Sequence, residues 1–203
     1  MDDSTPKVIG RRTLVPGPKY RYDELTIRNP GNRTGTRQVV THPGAVVVVP
    51  ILEDGRLVLI RNFRVAIEDA GAWVLEFCAG TLDKGPDEDP TDCAGRELIE
   101  ETGYKAEKII PLLSGDAPGS SGYFYTTPGL TSERMFPFAA TGLTHVGQAL
   151  EEFETIETLV MTPAEAWAAA ESGGSGARAR QTLMDAKSIV ALTLATRRGL
   201  VRI

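Results

Sequence analysis

Three glutamates in one short stretch carry the strongest chemical suggestion in this chain. Glu97, Glu100 and Glu101 fall at helical spacing between Gly80 and Gly103. Glu97 and Glu101 lie one turn apart and Glu100 lies three residues from Glu97, so a helix places three carboxylates on one side. Like charges so placed repel by about 0.2–0.5 kcal/mol per pair in an isolated helix, and a cation among them removes that cost. Oxygen-only ligands suit Mg²⁺, with Mn²⁺ as a possible substitute; Mg²⁺ is usually held by a few carboxylates together with waters and substrate phosphates. The plainer reading is a solvated acidic face on which Arg96 pairs with Glu100. By spacing alone the two readings stand level.

The fixed residue types around the glutamates decide between them. In order, Glu88, Arg96-Glu97-Leu98, Glu100-Glu101 and Gly103-Tyr104 resemble the Nudix box, G-x5-E-x7-R-E-U-x-E-E-x-G-U with U apolar. Every position from Glu88 onward fits, with Tyr104 as the last apolar residue. Gly80 lies two residues too far ahead of Glu88, so the TLDKGPD stretch reads as a lengthened loop.

Three further stretches resemble the ADP-ribose pyrophosphatase and ADP-sugar diphosphatase branch of that family. RNFRVA at 61–66 resembles its Q-x-R strand end, with Asn62 in place of Gln. GYFYTTPGLTSERM at 122–135 resembles its aromatic, Pro-Gly and S/T-x-E segment, and EEFETI at 151–156 resembles its base-carrying loop. The resemblance runs from about Pro43 to the C-terminus.

It implies metal-dependent hydrolysis of the diphosphate of ADP-ribose or a related nucleoside diphosphate sugar, giving a nucleoside monophosphate and a sugar phosphate. Glu97 and Glu101 are then metal ligands, with Glu100 assisting directly or through water, Glu154 adding a further carboxylate and the main-chain carbonyl of Ala79 a neutral ligand. Glu152 is the general base. Arg64, Glu133 and Glu76 fall on the substrate side, while Arg96 and Glu88 brace loop and helix. A UDP-sugar or GDP-mannose pyrophosphatase, and a non-catalytic nucleotide-sensing module, are the alternatives; a sensing module is expected to have lost carboxylates that are all present here.

The elements that must position these groups follow from local pattern. Asp89 as N-cap, Pro90 at the first helical position and Gly103 just past the end predict a helix over 90–102. The β-branched run 45–51 predicts a buried strand, which Asp54-Gly55 turns into a second at 56–62 as a hairpin. Residues 73–78 predict a strand leading into an Ala79-Gly80 turn. Further strands are expected at 106–113, 123–127, 135–140 and 155–161, with 115–122 a loop. Thr162-Pro163 opens a helix at 164–170, Gly173 to Gly176 is a break, and 179–197 reads as a terminal amphipathic helix. Ahead of these, residues 1–18 trail or wrap, 20–28 and 38–42 read as strands, and Asn29 to Asn32 turns the chain.

The fold class expected is α/β of the α+β type: a Nudix-like α/β/α sandwich of mixed sheet, spanning 43–203, carrying the acidic helix. Residues 1–42 form an N-terminal β arm with little core of its own, so it is expected to bury against a second copy in a homodimer, as in similar family members. Net charge is −5, from 27 acidic and 22 basic residues, which lacks the basic footprint of a nucleic-acid or anionic-membrane binder. No run of eighteen apolar residues occurs. Cys78 and Cys93 lack metal-ligand spacing and read as buried reduced thiols, which fits the cytoplasm. His42 and His145 are left out of the chemistry, having no evident partner.

Overall fold

The computed structural model describes residues 4–70, 73–85, 87–117, 119–172 and 180–203. The chain divides into two units, residues 1–44 with 125–134, and residues 45–124 with 135–203. In the first, β1 (Lys7–Val15), β2 (Arg21–Arg28) and β3 (Thr34–Thr41) form an antiparallel meander. The expectation that residues 1–18 trail or wrap without regular structure is corrected: Lys7–Val15 is a full strand paired along β2. Its alternation is masked because both faces are largely exposed, Val8, Ile9, Val15, Tyr20 and Tyr22 among them. Asp23 is the exception. Fully buried at the centre of the meander, it accepts from Thr41 (2.7 Å), Thr13 (2.7 Å), Arg21 (2.9 Å) and Arg11. The Thr41 hydroxyl, with those of Thr13 and the two guanidiniums, outweighs desolvation and holds this carboxyl well below its usual range.

The second unit contains β4 (Ala45–Pro50), β5 (Leu57–Phe63), β6 (Trp73–Glu76), β7 (Ala79–Thr81), α1 (Pro90–Glu97), β8 (Tyr104–Pro111), β10 (Arg134–His145, beginning at the boundary), β11 (Ile156–Met161), α2 (Pro163–Glu171) and α3 (Ala186–Arg197); the short β9 (Phe124–Tyr125) falls at the chain boundary between the units. One sheet runs β7-β4-β10-β8 and the other β11-β5-β6. The first is mixed, since β10 lies parallel to β4 and antiparallel to β8.

β4 is buried on both faces, as its unbroken apolar run predicts. Ala45, Val47 and Val49 pack with Ala166 and Ala169 of α2 and Ala191, Leu192 and Ala195 of α3. Val46 and Val48 pack on the other side with Cys93, Ala94 and Leu98 of the acidic helix. This is the α/β/α sandwich of mixed sheet that the order of elements predicts.

Three local expectations are corrected. β4 and β5 do not form a hairpin: the Asp54-Gly55 turn is present, but β4 and β5 join different sheets and share only an Ile51–Leu57 bridge. Ala79-Gly80 is a short strand opposite β4 rather than a turn, pairing Gly80 with Val46. The terminal helix begins at Ala186, capped by Asp185 accepting from Ser188 N–H at 3.0 Å, because Leu183 instead bridges to Leu75. The expected break at 173–176 and the start of that helix at 179 lie outside the described residues.

Candidate active site

The acidic helix starts as its sequence dictates. Asp89 accepts from Thr91 N–H at 2.7 Å, Pro90 opens the first turn, and Gly103 closes the helix at φ 75° in the left-handed region. Its second half departs from the α pattern: Leu98–Thr102 is a π-turn, a feature that gathers at functional sites. The wider turn separates the glutamates. Glu101 is turned inward, 3% exposed, and its Oε2 accepts the Ala79 N–H at 2.8 Å. Glu97 is buried over Gly80; a Cβ there would stand 1.8 Å from Glu97 Cδ, so only glycine leaves room. Glu100 stays at the flank beside Arg96 rather than facing inward with the other two.

Arg96 ties this region together. Its Nη1 donates to Glu97 (2.6 Å) and Glu100 (2.9 Å), and its Nη2 to Glu88 (3.1 Å) and the Thr81 carbonyl (3.4 Å). The lengthened loop is held through the same residue, and Lys84 N–H donates to Glu88 at 2.9 Å.

Burial pushes Glu97 up to about 7, against the pull of Arg96, and pushes Glu101 up to about 8 despite its Ala79 hydrogen bond. Among the described residues no three His, Cys, Asp or Glu side chains stand in a ready-made cluster. The donor chemistry nevertheless fits a hard divalent cation: oxygens only, with two buried carboxylates whose charge lacks full compensation. Both cysteines are free and buried, and burial drives Cys93 up to about 12.

A second charged group adjoins the helix carboxylates. Arg64, just beyond β5, donates Nε and Nη2 to the two oxygens of Glu76 at 2.8 and 3.0 Å. Glu76 is 1% exposed and is also paired with Lys187. Burial would raise Glu76, but Lys187 and Arg64 outweigh it and hold it below the usual carboxylate range. Both Glu76 oxygens are engaged, so its reach toward a ligand runs through Arg64. Lys187 and Asp185 are absent from the sequence reading. The signal was a lysine at the start of a helix, hidden while that helix was read as beginning at 179.

The loop after β10 is anchored at its root. Gln148 Nε2 donates to the Glu101 carbonyl (2.6 Å) and Thr158 (3.0 Å), and Ala149 N–H to the Glu100 carbonyl (3.0 Å). Gln148 is a third residue that motif reading missed. At the tip a turn joins Glu154 N–H to the Glu151 carbonyl (3.0 Å), and Glu154 Oε2 accepts the Glu151 N–H (3.0 Å). Glu152 is exposed and Phe153 is 93% exposed. Glu152 and Glu154 therefore sit on a turn that directs them independently.

Glu133 belongs to the first unit. There Thr126 Oγ1 donates to its Oε2 at 2.6 Å, and His42 Nε2 stands 3.8 Å from its Oε1. His42 thus has a partner that the sequence did not disclose, with its Nδ1 accepting the Gly44 N–H at 3.1 Å. His145 packs edge-on against Tyr104.

A NUDIX domain profile matches residues 41–180. An ADP-ribose pyrophosphatase of Bacillus subtilis (strain 168) is 32% identical over 168 residues, covering 82% of this chain and 83% of its own. A methanol dehydrogenase activator of Bacillus methanolicus is 35% identical over 150 residues, covering 73% and 72%. In fold, the crystal structure of an ADP compounds hydrolase superposes with a TM-score of 0.72 at 22% identity, covering 98% of this chain and 97% of that one. With the box carboxylates, the sandwich around them and a profile match over most of its length, this chain belongs to the NUDIX domain family.

Proposed function

We propose that the protein is a Nudix hydrolase that cleaves the diphosphate linkage of ADP-ribose or a related nucleoside diphosphate sugar, releasing a nucleoside monophosphate and a sugar phosphate. The observation that carries this reading is the proximity of the buried Glu101, which also neighbours the buried Glu97, to an arginine held in a fixed fork by Glu76. A cation at the carboxylates and a guanidinium beside them are what a diphosphate dianion needs. The B. subtilis relative supports the substrate class by its name.

Glu97 and Glu101 would hold Mg²⁺, with Mn²⁺ as substitute, assisted by Glu100, Glu154 and the Ala79 carbonyl. Such a metal neutralises phosphate charge and lowers the pKa of a bound water. The protein's own groups do the rest. Arg64 binds and orients a phosphate oxygen, Arg96 keeps Glu97 and Glu100 in place, and Glu152 takes the proton from the attacking water as general base. Glu133, held by Thr126, takes a sugar hydroxyl.

The meander at residues 1–42 carries eight Lys or Arg against four Asp or Glu, opposite in sign to the whole chain, and exposes Val8, Val15 and Tyr20. We propose that it joins two copies in a homodimer. Two buried unpaired thiols favour the cytoplasm; among the described residues no helix is long and apolar enough to cross a membrane.

The test is product analysis on ADP-ribose, ADP-glucose, UDP-glucose and GDP-mannose with Mg²⁺ and with chelator. AMP and ribose 5-phosphate from ADP-ribose, abolished by chelator, is the expected result. Preferred turnover of UDP-glucose or GDP-mannose replaces the substrate assignment. No turnover of any of the four, with nucleotide still bound, replaces the enzyme by a sensing module.

A further inference from the structure

Lys187 is the second residue of α3, following the Asp185 cap and Ala186. A cation in a first turn opposes the helix dipole, whose N-terminal end is positive. It cannot offset that by reaching into water, because its side chain is only 14% exposed. Two carboxylates keep it there, Glu76 and Asp185, the latter at 2.8 Å. A residue that breaks a local rule under such constraint points to a functional demand.

The demand is visible in what Glu76 does. Its Oε1 receives Arg64 Nε, and its Oε2 receives both Arg64 Nη2 and Lys187 Nζ. Lys187 therefore holds the carboxylate at the Oε2 it shares with Arg64 Nη2, and the planar fork of Arg64 inherits that orientation with Nη1 outside the pairing. The frame is rigid, since the next residue, Ser188, accepts the Phe77 N–H on Oγ at 2.9 Å and Leu183 bridges to Leu75. Charge matters as well as position. Arg64 feels Glu76, Glu101 and Asp185; with Lys187 present the group of Arg64, Lys187, Glu76 and Asp185 is neutral, and without it the carboxylates are in excess and drain the field Arg64 can offer to an anion.

We infer that Lys187 is a positioning residue for substrate binding: by pairing with Glu76 and Asp185 it keeps the Arg64 guanidinium oriented and electrostatically available to a phosphate of the diphosphate substrate. This rests on the proposed role of Arg64.

The test is a double-mutant cycle in the full-length protein, reading KM and kcat for ADP-ribose with Mg²⁺ alongside Tm. Lys187→Met keeps the stem volume and is expected to raise KM about tenfold or more with a smaller change in kcat. Lys187→Arg restores most of the loss. In an Arg64→Ala background Lys187→Met adds nothing further, because its effect passes through the missing guanidinium. Leu192→Ala, which opens a cavity beneath the same helix without touching a charge or the Glu76 frame, lowers Tm and leaves KM unchanged.

If Lys187→Met lowers Tm like Leu192→Ala at wild-type KM, or if its KM effect multiplies in full with that of Arg64→Ala, the inference is overturned. If Arg64→Ala itself keeps wild-type KM, the reading of Arg64 falls and the inference with it, a distinguishable outcome. Should Lys187→Met fail to fold, Lys187→Gln carries the same cycle, since glutamine keeps a polar head between Glu76 and Asp185 while removing the charge.

Discussion

Replacing Glu101 by glutamine should stabilise the metal-free protein at alkaline pH while destroying its activity. The carboxyl is 3% exposed and burial raises it to about 8, from an ordinary value of 4.5. Between those values the folded state holds a proton that the unfolded state has released. The contribution of this group to stability is therefore greatest at and below about pH 4.5, falls as pH rises toward 8, and levels off above it. At about 1.4 kcal/mol per unit the whole gap corresponds to a penalty on the order of 3–5 kcal/mol, part of it shared with neighbouring Glu97. Glutamine removes the ionisation and keeps an oxygen for the Ala79 N–H, now at 2.8 Å, although its new amide hydrogens cost about 1–3 kcal/mol if left unpaired. Urea unfolding in chelator at pH 5, 7 and 8.5 measures the balance. The wild type should lose stability across this range and the variant much less, so that Glu101→Gln is the more stable by about 1–3 kcal/mol at pH 8.5. Parallel pH profiles for the two proteins would refute the buried-carboxylate reasoning. In turnover assays the same variant should lose orders of magnitude in rate while remaining folded.

Chelation should abolish turnover and Mg²⁺ or Mn²⁺ restore it; undiminished activity after thorough chelation would remove the metal from the mechanism. Glu152→Gln should lower kcat by about 10²–10⁴ with little change in metal requirement, whereas Glu154→Gln should raise the metal concentration for half-maximal rate. Collapse of kcat in Glu154→Gln or Glu151→Gln instead would move the base along the loop. Gly80→Ala sets a Cβ 1.8 Å from Glu97 Cδ, so it should displace Glu97, weaken metal activation and cost about 1–3 kcal/mol in unfolding experiments. Light scattering at micromolar concentration should report a dimer, and a fully active monomer would count against the role given to the arm.

The acidic helix could be read from sequence because its determinants are local: Asp89, Pro90 and Gly103 each act within a turn of their own position. The buried strand at 45–50 was legible for the related reason that a strand covered on both faces must be apolar throughout. Pairing was not legible, because it is a contest among distant partners. Val46 and Val48 sit beside β10 and β7 rather than folding back on β5, although the Asp54-Gly55 turn favours a hairpin locally. The carboxylate types and order were given by the motif, yet their division of labour was not. A π-turn and the depth of burial set Glu101 against Ala79 and leave Glu100 with Arg96. The pair of Glu76 and Lys187, separated by 111 residues, was beyond any local pattern: neither residue has a reason for its place until the fold buries one charge and must supply the other.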